Sequence, residues 1–305
     1  MKRSIAFLLA LVLLLGVTGC ASPQKEKPLI ICTLFAHYDW VRNILGEKAG
    51  RFELKLLGNG ADLHSYEASA MDLATIGQSD LLIYNGGESE EWVQQAIAEA
   101  KVENTLNISE QVTLRTLPHQ HTEEEHHHAY DEHTWLSLKT SAQAVIAVGR
   151  SIGNLDPENR EVYNENTMDY ARQLLALDKQ YSATVEGATR KSLVLADRYP
   201  FRYLAADYGL TFYAAFDGCS AETEAGAATV AGLAQLTDQL KLPCVLILEN
   251  SKEDLANTVI ESTRTKDQQI LRIDSMQAMS ADRNEKETYL SIMEKNLNIL
   301  KTALN

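Results

Sequence analysis

The feature that most constrains this chain is one long helical stretch in its middle. Asp156-Pro157-Glu158 reads as a helix start, with Asp156 as N-cap and Pro157 in the first turn. No second proline interrupts the run to about Gly187, and Tyr170, Leu174, Leu177, Tyr181 and Val185 keep a spacing of three to four. Roughly thirty residues at about 1.5 Å each give a rod of about 45 Å, more than one small domain needs and enough to join two.

On either side of the rod, short apolar runs alternate with helical ones. Leu29–Leu34, Phe52–Leu57 and Leu81–Tyr84 read as strands before it, and Ser192–Ala196, Thr211–Ala215, Val245–Leu248 and Ile270–Ile273 after it. Ser69 and Asp72 form a capping-box start for one of the intervening helices. Alternating strands and helices imply parallel sheets covered by helices. The expected fold is therefore α/β: two (β/α) lobes with parallel sheets, residues 29–155 and 189–305, bridged by one long rigid helix over 156–188.

The N-terminus sets the compartment. MKRSIAFLLALVLLLGVTGC has a basic start, an apolar run too short to span a membrane comfortably, and a small-residue end. VTGC resembles a bacterial lipobox, which makes residues 1–20 a signal peptide and Cys20 the lipid attachment point, with the polar stretch 21–28 as a tether. The mature chain is expected outside the cytoplasmic membrane, held by lipid. A net charge of −14 argues against nucleic acid and favours cations. Three further cysteines, Cys32, Cys219 and Cys244, leave open either one bridge or buried free thiols.

Six of the eight histidines fall in HQHTEEEHHHAYDEH, from His119 to His133. Imidazoles and carboxylates are what borderline cations such as zinc accept. Read blandly, the run is a solvated loop; read chemically, His119, His121, His126, His127 and His128 are an accessory metal-collecting loop without fixed geometry. A specific site needs residues at the carboxyl ends of strands. His64 in GNGADLHSYE, His133 in DEHTWL and Asp274 in LRIDS occupy such places, the first two in one lobe and the third in the other.

On these stretches the chain resembles the metal-binding lipoproteins of bacterial ABC importers for zinc or manganese. NGADLHSYE, SDLLIYNGG, DEHTWLSLK, LDPENREVYNENTMDYARQLLALD and RIDS come in that family's order and cover nearly all of the mature chain. The resemblance implies metal held between the lobes by His64, His133 and Asp274, a His-rich insertion before the second ligand histidine, and delivery to an ABC permease and its ATPase, with no enzymatic role. A monomer is expected. Zn2+ is the expected cargo, with Mn2+ the alternative.

One position departs from the pattern. Where the resemblance implies a third ligand, His or Glu, this chain has Arg198, and a guanidinium does not coordinate cations. Asp197 or His37 are then candidates to replace it, with Glu222 and Glu224 weaker ones. Rival functions are a binding protein for a chelated metal, a secreted zinc-dependent hydrolase, which here lacks an H-E-x-x-H motif, and a surface adhesin.

Overall fold

A computed structural model describes residues 27–58, 61–116, 130–218, 225–278 and 287–305. Cys20, the loop histidines His119, His121, His126, His127 and His128, Cys219, Glu222 and Glu224 lie outside the described residues.

Two four-stranded parallel sheets organise the chain. The first has β1 (Leu29–Cys32), β2 (Glu53–Leu56), β3 (Leu81–Tyr84) and β4 (Thr105–Asn107) in the order β2-β1-β3-β4. Every residue of LIIC and LLIY is buried, as central strands covered on both faces require. The second sheet has β5 (Ser192–Arg198), β6 (Thr211–Phe216), β7 (Cys244–Leu248) and β8 (Gln269–Ile273) in the order β6-β5-β7-β8. In each sheet the chain leaves the first strand in one direction and returns on the other side. The carboxyl ends of β1/β3 and β5/β7 are therefore the crevices where α/β folds bind ligands. Sequence reading missed β4, a three-residue edge strand, TLN, with a single buried side chain.

The helices are α1 (Phe35–Leu45), α2 (Ala70–Ile76), α3 (Glu91–Ala100), α4 (Leu138–Leu155), α5 (Arg160–Glu186), α6 (Arg202–Tyr208), α7 (Ala227–Leu240), α8 (Asp254–Glu261) and α9 (Tyr289–Ala303). The Ser69–Asp72 capping box at the head of α2 is present in both directions. Asp156 holds the N-cap position as expected, but without a side-chain capping bond. The rod opens with a 3₁₀ turn over Pro157–Asn159, and the Asp156 carboxylate instead accepts hydrogen bonds from Arg51, Asn159 and Tyr163. Three side-chain donors outcompete the cap.

Helix α5 buries Tyr163, Thr167, Tyr170, Leu174, Leu177, Tyr181 and Val185 on one stripe. It lies so close to α4 that a Cβ on Gly149 would sit 2.0 Å from Thr167 Oγ1. One continuous apolar core joins Ile30 and Cys32 of β1, Leu174 of α5, Leu195 of β5, Leu246 of β7 and Leu300 of α9. Smaller cores lie on the other face of each sheet. Cys32 and Cys244 are free and buried, and burial pushes the Cys244 thiol up to about 12.

Candidate metal centre

Two loops of the first lobe, one after β2 and one after β4, carry the same device. Asp62-Leu63-His64 and Asp131-Glu132-His133 each form a turn in which aspartate Oδ1 accepts the histidine backbone N–H, at 3.0 Å and 2.9 Å. This local bond favours a turn over an extended strand, and each turn presents an imidazole. His133 is buried and His64 nearly so.

The hydrogen-bond partners set the tautomers. Nδ1 of His133 lies 3.0 Å from Asp131 Oδ1, an acceptor, so Nδ1 carries the proton. Ser89 Oγ gives its single proton to Glu132 Oε1 at 2.6 Å and can then only accept from His64 Nδ1, at 2.5 Å. The two Nε2 atoms face each other at 3.4 Å. Two nitrogens bound to one tetrahedral zinc at about 2.0–2.1 Å stand about 3.4 Å apart.

Ligand atoms of His64, Glu132 and His133 lie within 4.8 Å of one another. Glu132, however, meets His64 on its Nδ1 side, at 3.5 Å, and both its oxygens are engaged by Ser89. Its geometry is that of an orienting carboxylate, matching Asp131 on His133. Carboxylates behind the ligand histidines fix ring orientation and raise basicity. Sequence reading missed both; the repeated Asp-x-His was the available signal.

From the second lobe, the loop after β8 is pinned between the two histidine loops. Ser275 O accepts from Trp135 Nε1 at 2.8 Å, and Gln277 O from Leu63 N at 3.1 Å. Asp274 begins this loop, with Oδ1 accepting Met276 N at 2.7 Å. Met276 is held at φ 58°, a left-handed conformation uncommon outside glycine. Asp274 does not join the cluster within 4.8 Å. Its charge, after burial, helps raise the neighbouring Glu249 carboxyl to about 6. A cation beside this pair would relieve their repulsion.

The remaining candidates lie elsewhere. Asp197 accepts Arg198 N and Leu248 N, one on each oxygen, and so ties β5 to β7. His37 is fully buried against Trp40, ring centroids 5.2 Å apart, and neither ring nitrogen has a hydrogen-bond partner among the described residues. Burial drives it down to about 3, so it is a neutral core residue. Arg198, at the position expected to supply a ligand, places Nη2 3.0 Å from Asp62 Oδ2.

This chain is similar to known proteins over almost its whole length. The family described as zinc-uptake complex component A, periplasmic, matches residues 30–303. A zinc-binding lipoprotein, AdcA, of Streptococcus pneumoniae is 31% identical across 98% of this chain; the chain spans only 60% of that relative's length. The high-affinity zinc uptake system protein ZnuA of Bacillus subtilis is 27% identical over 94% of this chain and 90% of its own. Among solved structures, the periplasmic zinc-binding protein TroA of Treponema pallidum superposes with a TM-score of 0.76 at 26% identity, covering 92% of this chain and 99% of that one. With a match running from the first strand through the last helix, the chain belongs to the zinc-uptake complex component A family.

Proposed function

We propose that this chain is the extracytoplasmic cargo-binding component of a zinc importer. It captures Zn2+ between lobes 29–155 and 189–305 and hands it to an ABC permease driven by its ATPase. His64 and His133 supply Nε2 donors, and Asp274 completes the site from the second lobe. The observation that carries this reading is the pair of facing Nε2 atoms spaced at a tetrahedral edge. Two imidazoles favour zinc over manganese, which prefers more oxygen. The mature chain is a monomer tethered by lipid on Cys20, and the His-rich loop collects metal without belonging to the site.

A zinc hydrolase falls with the family assignment. It would also need a carboxylate free to act as base on a bound water, and Glu132 spends both oxygens on Ser89. The test is a competitive zinc and manganese titration of the mature chain beside a variant lacking residues 120–128. One tightly held zinc in both proteins is expected. Binding that is weak throughout and vanishes with the loop overturns the site.

A further inference from the structure

We propose that Arg198 and Arg202 are positioning residues, each gripping from the second lobe the aspartate that orients one histidine of the first. The inference rests on the zinc site proposed above. In each Asp-x-His turn Oδ1 is occupied by the histidine backbone, and Oδ2 faces an arginine across the cleft. Arg198 Nη2 meets Asp62 Oδ2 at 3.0 Å, and Arg202 Nε meets Asp131 Oδ2 at 3.4 Å. The two arginines stand four residues apart, where β5 ends and α6 begins. Arg202 is braced on its own side. Arg202 Nη2 donates to Asp217 O at 2.8 Å and its guanidinium lies over Tyr199. Tyr203 OH adds a bond to Asp131 O at 2.8 Å.

The residue that cannot be a ligand thus holds a ligand's support. Asp62 belongs to the first lobe and Arg198 to the second, so the contact depends on how the two lobes are seated against each other. Separating the lobes withdraws both guanidinium groups. Each aspartate is then free to turn, and its histidine loses the geometry that faces Nε2 toward the other. Lobe closure and grip on the ion are one coupled equilibrium, and by linkage the ion favours the closed pairs as much as they favour the ion.

The experiment is stopped-flow release of zinc from the mature protein into excess chelator, with capture rates and the unfolding midpoint of the metal-free protein measured in parallel. Arg198→Ala and Arg202→Ala should each speed release about five- to tenfold, less than direct carboxylate partners of ligand histidines give. Capture should stay within about twofold, since ligand arrival is far less sensitive than release. Arg198→Lys, which keeps a donor for Asp62, should restore most of the loss. His64→Ala and His133→Ala serve as controls. If both lose zinc while the arginine variants release it at the parent rate, the clamp is overturned and the site stands. If the histidine variants keep their zinc, the site fails and the clamp with it. Faster release that merely tracks a fallen unfolding midpoint also overturns the clamp.

Discussion

Replacing His64 by alanine tests the site most directly. Its Nε2 stands 3.4 Å from that of His133, so zinc can bind both without either ring moving. The cost of removing one is therefore the ligand bond itself, with no compensating relief of strain. Structural zinc sites with four ligands bind with about 10–16 kcal/mol, or ~2.5–4 kcal/mol per ligand. Water entering the vacated position recovers part, leaving ~3 kcal/mol, about 150-fold in Kd. Competition against a chromogenic zinc chelator at neutral pH reads this range. Asp131→Asn, which keeps the shape but weakens the hold on Nδ1, should cost less, about 10- to 100-fold. A His64→Ala change below about fivefold, or a smaller loss than that of Asp131→Asn, would refute the assignment of Nε2 as ligand.

Three further outcomes are expected. Deleting residues 120–128 leaves the tight zinc site intact, because Thr116 and Tyr130 already pair at the base of that segment; isothermal titration checks it, and loss of the tight phase would contradict it. Gly149→Ala forces a methyl into Thr167 Oγ1 across α4 and α5 and should destabilise by ~2 kcal/mol, read as a lowered denaturant midpoint with unchanged slope, partly recovered by adding Thr167→Ala. The third concerns Glu90, which burial above all raises from 4.5 to about 7. The unfolded chain gives up this proton first, so stability falls as pH rises from about 4.5 to about 7 and is flat beyond, by up to ~3 kcal/mol. Glu90→Gln should flatten that slope in denaturation curves collected across the range, and a slope that persists at full size excludes Glu90 as its source.

The proposed ligand histidines stood out by their places, since the loops of parallel sheets are where such folds put chemistry. His64 stood out in an otherwise histidine-free lobe segment, and His133 at the edge of its run beside the apolar Trp135. Asp131 could have been read from the repeated Asp-x-His, but Glu132 could not, since within an acidic, His-rich stretch nothing in composition separates an orienting carboxylate from a solvated one. His37 shows the reverse: its place just past β1 suggested a ligand, but full burial against Trp40 makes it core. Arg198 was visible as a departure, but its partner Asp62 was not, since no local pattern links residues brought together from two lobes. The rod was plain from its spacing; its first turn was not, because Asp156 is claimed by Arg51, more than a hundred positions upstream.

The shared core has a consequence for time rather than affinity. Helix α5 does more than connect. Tyr163 bonds Asp156, Tyr170 reaches Asp39 of α1, and Tyr181 donates to Met293 O of α9, so its hydroxyls bolt both halves to one shaft. Asp39 in turn accepts the backbone N–H of Tyr289 at the start of α9. These ties favour small shifts of the lobes over a wide swing. On the zinc reading, with Kd near a nanomolar and capture at about 10⁶ M⁻¹s⁻¹, the ion stays for about 10³ s. On that same reading, unloading on a faster schedule would have to be driven by a docked partner, and the protein alone would act as a slow-leaking store.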